Sequence, residues 1–160
     1  MALILKNYQD TVDKFLKLSY DEKVSVCRDS FKALLDYFPD NQMGNLFIVL
    51  TQMMGAIYAA DSCDYPIERQ FIKDVLKVSV VTDEYLKENW SEYSCNKYNN
   101  MISEAIEVFP KSIKREFMTI AIGMLTVDGK DYYKEVDMIK KFFFFYDVFD
   151  EVFDPYALYY

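Results

Sequence analysis

Five apolar residues at helical spacing, Leu46, Leu50, Met53, Ile57 and Ala60, return 67 positions later as Ile113, Phe117, Ile120, Met124 and Val127. A 3.6-residue period of this kind marks one buried face of a helix. Its recurrence restricts the chain to folds that pack two similar helical units. Punctuation agrees, because only four glycines and four prolines occur in 160 residues. A sandwich or barrel would need many more tight turns.

The same reading extends along the chain. Leu5, Tyr8, Val12 and Phe15 mark a first helix. Ser19 with Glu22 forms a capping box, in which hydroxyl and carboxylate satisfy free amides at a helix start. The helix it opens sets Tyr20, Val24, Cys27, Phe31, Leu34 and Phe38 on one face and stops at Pro39, with Asp40 placed to cap the next. A further helix begins at Pro66, where a missing N–H costs nothing, and Thr82 starts a short one toward Trp90. Tyr98, Ile102, Ala105 and Phe109 then form a face that ends at Pro110, as Phe38 ended at Pro39. Small residues, Gly55-Ala56 and Ala121–Gly123, fall near the middle of equivalent helices, where close crossing of the two central helices is expected. The expected architecture is all-α: duplicated helix-loop-helix units, at roughly 20–78 and 94–150, within a single domain over 1–160.

The repeat is tightest between helices. Asp61 to Val75 (DSCDYPIERQFIKDV) aligns without a gap to Asp128 to Phe142 (DGKDYYKEVDMIKKF), with six of fifteen positions identical. Each copy carries D-x-x-D-Y-x-x-E, so Asp61, Asp64 and Glu68 correspond to Asp128, Asp131 and Glu135. A hard divalent cation wants several oxygen ligands with tolerant geometry, and these six carboxylates can supply them to calcium, magnesium or manganese. The pattern is not an EF-hand, since the twelfth position from either first Asp is Ile72 or Ile139 and the sixth is Pro66 or Tyr133. An equally physical reading needs no metal. Glu68 at the third helical position would stabilise free amides and the helix dipole, Asp64 or Tyr65 would be the boundary residue, and Asp61 would stop the helix before.

Other function classes are narrowed by what is missing. The chain has no histidine, the usual general base near neutral pH. Neither G-x-G-x-x-G nor a P-loop occurs, and an enzyme is not expected. A net charge of −8 opposes binding to nucleic acid. Cys27, Cys63 and Cys95 are odd in number and far apart, which is no disulfide framework. The N-terminus meets Lys6 and Asp10 too early for a leader or anchor, so a cytoplasmic location without direct membrane insertion is expected. From Phe142 the chain holds ten aromatics, four acids and no base. Phe142, Phe145, Phe149 and Phe153 fit a core stripe, whereas the other rings suit a contact with another protein or a homodimer.

The stretches A-A-D-x-x-x-x-P-x-E-R-x-F-I (Ala59 to Ile72) and T-V-D-G-x-x-x-x-x-E (Thr126 to Glu135) resemble the TerB-like family, named for tellurite resistance. The resemblance covers about residues 20–150. It implies a duplicated all-α fold, a role in stress response or defence, and metal binding through Asp61, Glu68, Asp128 and Glu135. Asp64 and Asp131 rest on the internal repetition alone. Ser62 replaces the usual Gly, and Tyr65 and Tyr132 stand where Ser or Thr normally caps. Two functions follow as expectations: a divalent-cation-binding module, or a metal-independent adaptor using its helical surface and aromatic C-terminal segment.

Overall fold

Only helices are found among the described residues, and several begin where local chemistry dictates. The computed structural model describes residues 8–60 and 63–128, together with Ile139 and Phe142. Eight α-helices occur there: α1 (Tyr8–Leu16), α2 (Tyr20–Tyr37), α3 (Met43–Ala59), α4 (Pro66–Leu76), α5 (Asp83–Glu88), α6 (Trp90–Tyr93), α7 (Asn96–Glu107) and α8 (Lys111–Thr126). No helix among the described residues is long and apolar enough to cross a membrane.

Starts expected from sequence are realised at α2, α4 and α5. The Ser19 hydroxyl accepts from the Glu22 N–H at 3.2 Å, and the Ser19 N–H donates to the Glu22 carboxylate at 3.0 Å. Pro66 is the first residue of α4. Thr82 accepts from the Tyr85 N–H at 3.1 Å to open α5. Asp40 departs from expectation. It opens a single 3-10 turn, Asp40–Gln42, and α3 starts from Gln42 with no side-chain cap. The carbonyl of Asp40, not its carboxylate, is what accepts from the Met43 N–H.

Helix α2 packs on α8 and α4, α7 packs on α3, and α3 crosses α8. The buried core draws on every long helix, with Phe15, Leu34, Leu50, Met53, Phe71, Ile106, Phe117 and Met124 among its members. Phe142 and Ile139 are also buried. Phe145, Phe149 and Phe153 lie outside the described residues.

Two faces are rotated from their expected positions. In α2 the buried stripe is Lys23, Val26, Cys27, Ser30 and Leu34, while Val24 and Phe31 are only half-buried. Cations explain the turn. The Lys23 ammonium donates to the Thr126 carbonyl at 2.8 Å, and the Arg28 guanidinium donates to the Val75 carbonyl at 2.6 Å. Two side chains of α2 thereby cap the C-terminal ends of α8 and α4, where unpaired carbonyls carry the negative end of the helix dipole. In α7 the buried stripe is Asn99, Ile102, Ser103 and Ile106, and Tyr98 faces outward. Asn99 is tolerated inside because it accepts from Gln52 at 2.8 Å and donates to the Tyr93 carbonyl at 3.0 Å.

The mid-helix glycines serve contacts other than a crossing of α3 with α8. A Cβ on Gly55 would lie 2.5 Å from the Tyr93 ring, and one on Gly123 would lie 2.5 Å from the Cys27 sulfur. Gly55 thus admits α6, and Gly123 admits α2.

Candidate functional site

Of the six carboxylates expected to act together, Asp61, Asp131 and Glu135 lie outside the described residues. Asp64, Glu68 and Asp128 are described, and each stands in a different setting.

Asp64 precedes α4 and points back across the chain. It accepts hydrogen bonds from the Tyr58 hydroxyl at the end of α3 and from the Arg69 guanidinium at 2.7 Å. Arg69, whose side chain is only 10% exposed, also reaches Asp83 of α5 at 2.8 Å. Lys73 meets the same Asp83 oxygen at 3.0 Å. Burial pushes Asp64 up, but the Tyr58 and Arg69 hydrogen bonds and the charges of Arg69 and Lys87 outweigh it, leaving the carboxyl below its usual range. Asp83 is held low first by the Lys73 hydrogen bond, then, against some burial, by Arg69. Burial and the Asp64 acceptor keep the Tyr58 phenol protonated well past its ordinary range. The Tyr58 ring in turn meets Trp90 edge-on, with centroids 4.9 Å apart. This is a lock between α3, α4 and α5.

Glu68 lies in the first turn of α4 and is fully buried, whereas the Asp64 side chain is 41% exposed. Their spacing of four therefore does not give them one common environment. The boundary residue is Tyr65, which makes no side-chain cap, and Glu68 stands third in α4, in the first turn where a carboxylate suits the helix dipole, as expected. Asp128, just past α8, lies near Lys23; burial lowers the pKa of that ammonium and the charge of Asp128 opposes the shift. Asp64 and Asp128 thus each have a protein cation close by. Among the described residues no three His, Cys, Asp or Glu side chains converge.

The second feature is a groove that sequence reasoning did not find. It has a volume of about 500 Å³ and runs between the start of α3 and the end of α7. Phe38, Phe109 and Phe117 meet beneath it: Phe38 stands edge-on to Phe109 at 5.1 Å, and Phe109 stacks on Phe117 at 5.7 Å. Leu46, Val49, Ile102 and Ala105 add aliphatic lining, and Gln42 and Asn45 are the only polar residues there. Those two amides bond to each other at 2.7 Å. Ile48, Met101 and Val108 line it too, at 57%, 55% and 79% exposure.

Three large aliphatic side chains gathered at one opening form a patch of the kind that marks a contact site. Two signals in the sequence pointed here. Helix α3 carries no charged residue over Met43–Ala59, although its first turns reach the surface. Part of the α7 face expected in the core, Ala105 and Phe109 with neighbouring Met101 and Val108, lines the groove instead.

Compared with protein-family models, curated proteins and solved structures, the chain finds no match.

Proposed function

We propose that this chain is a non-enzymatic helical interaction module that holds an apolar surface of another protein in the groove between α3 and α7. One observation carries the reading: Ile48, Met101 and Val108 stand exposed around an apolar trough of about 500 Å³ floored by three phenyl rings. A partner that covers these side chains gains roughly 25 cal/mol per Å² of apolar surface removed from water. The acidic residues offer less, since Asp64 is already engaged by Tyr58 and Arg69.

The test compares wild-type protein with Val108→Asp and Ile48→Asp in quantitative co-purification from native extract. A partner retained by the wild type and lost from both folded variants is the expected result. Identical recovery from all three would sink the reading.

The TerB-like assignment, its cytoplasmic stress-response or defence setting and an internal duplication are also proposals. Support comes from the all-helical architecture and from exchanged packing, with α2 on α8 and α7 on α3. Divalent-cation binding at Asp61, Asp64, Glu68, Asp128, Asp131 and Glu135 is a separate proposal supported by the repeated D-x-x-D-Y-x-x-E pattern. Calcium or manganese at 100 times its dissociation constant should then add about 2.7 kcal/mol of stability. Asp61→Asn with Asp128→Asn should remove that gain; an unchanged melting temperature at millimolar calcium, magnesium and manganese would end the metal proposal.

A further inference from the structure

The groove selects the shape and charge of what enters it. Its walls are helices whose backbone groups bond internally, and its lining has two amides that already bond to each other. An extended peptide laid on this floor would bury N–H and C=O groups with almost nothing to receive them. A helix satisfies its own backbone and presents only side chains. The walls suit it: Gln42 at the start of α3 with Asn45, Leu46 and Val49 on it, and Met101 and Ala105 on α7 with Val108 at its C-cap, lie at three- and four-residue steps, the spacing of ridges that accept another helix.

Charge narrows the choice further. Within four residues of the lining positions, Asp36, Asp40, Glu104 and Glu107 are exposed and Glu116 is half-buried, and none forms an ion pair among the described residues. Of the cations in that set Lys97 and Lys111 are exposed, Arg115 is half-buried and Lys114 is buried, so four exposed acids stand against two exposed cations. The surroundings are therefore acidic, on a chain of net charge −8.

We propose that the groove receives one amphipathic helix of a partner protein, with an apolar stripe on its inner face and Lys or Arg along its flanks. This rests on the interaction-module reading and names the partner's chemistry. The chain's own segment after Phe142 is a poor occupant, because it has four acids and no base. A second copy is poor as well. A two-fold contact would set one concave trough against another, leaving both unfilled.

The experiment titrates labelled peptides of about 18 residues, long enough for an i, i+3, i+4, i+7 stripe, into the intact chain. One carries a Leu stripe with Lys flanks, one the same stripe with Glu flanks, and one the Leu/Lys composition scrambled. The Leu/Lys helix should bind at least about tenfold more tightly than the Leu/Glu helix. It should weaken severalfold between roughly 50 and 500 mM salt, because exposed charges are screened, and fail on Val108→Asp. Glu104→Gln with Glu107→Gln should weaken it severalfold and, by relieving like-charge repulsion, should not weaken the Leu/Glu helix. Equal binding of the Leu/Lys and Leu/Glu helices overturns the basic-partner inference and leaves the interaction module standing. Equal binding of the scrambled peptide also overturns it, since charge alone would explain the capture. Binding that survives Val108→Asp, or no binding by either helix, overturns the groove as a helix site.

Discussion

The two ends of α3 solve opposite problems. At its C-terminal end Tyr58 joins a polar lock in which Asp64, Arg69, Asp83 and Lys73 are bonded to one another. At its N-terminal end Leu46, Ile48 and Val49 line a trough with no ionisable residue. A sequence reader is drawn to the charged end, because acids at fixed spacing resemble a ligand set. Yet the carboxylate described at that end is occupied within the protein, and the apolar end is the one left with side chains facing water. Charge attracts notice; exposed hydrocarbon marks the open surface.

The largest expected effect belongs to the floor of the trough. Phe117 is fully buried and stacks on Phe109, so Phe117→Ala should cost about 3–5 kcal/mol in chemical denaturation. The apolar end is then a rigid surface built on the core. A loss below about 1 kcal/mol would mean that the floor collapses easily and that the groove has no fixed shape.

Next comes the lock. Arg69→Met keeps the buried stem and removes both ion pairs, with an expected loss of about 1–2 kcal/mol. The figure stays modest because Asp64 and Asp83 are each about two-fifths exposed and screened by solvent. Both carboxyls sit below their ordinary range in the folded state. Their contribution is therefore complete above the unfolded value, about 3.9, and is lost as pH falls through the lower folded values. Between about pH 4 and pH 2, wild type should lose stability more steeply than Arg69→Met. Parallel acid titrations of the two would show that the lock contributes no linkage.

The smallest stability effect is expected at the rim. Val108→Asp should change unfolding by no more than about 0.5 kcal/mol, because the side chain lies in solvent. A loss above 2 kcal/mol would make Val108 part of the core and erase the contrast between the two ends.

The helices themselves were legible. Ser19, Pro66 and Thr82 announce their starts, and the 67-residue recurrence correctly marked α3 and α8. Burial register was not. Periodicity assigns apolar residues inward, but Lys23 and Asn99 go inside because each has a buried acceptor or donor waiting, and those partners lie 103 and 47 residues away. The lock was hidden for the same reason. Arg69 stood in the aligned segment, but its second carboxylate, Asp83, comes from the following helix. Short α6, Trp90–Tyr93, also went unseen, since four residues give no period to read. The groove left only a faint trace, the uncharged run of α3, because an isoleucine facing water and one facing the core look alike in a sequence.

The grip of Lys23 on the end of α8 sets a timetable. Its acceptor, Thr126, is 103 residues further along the chain. At about 5–20 residues per second of synthesis, Lys23 is made roughly 5–20 s before its receiving carbonyl exists. During that interval Cys27, whose thiol donates to the Thr119 carbonyl, has no α8 to lie against. Only α4 is made early enough to cover α2 at first, and closure against α8 waits for the last third of the protein to be made.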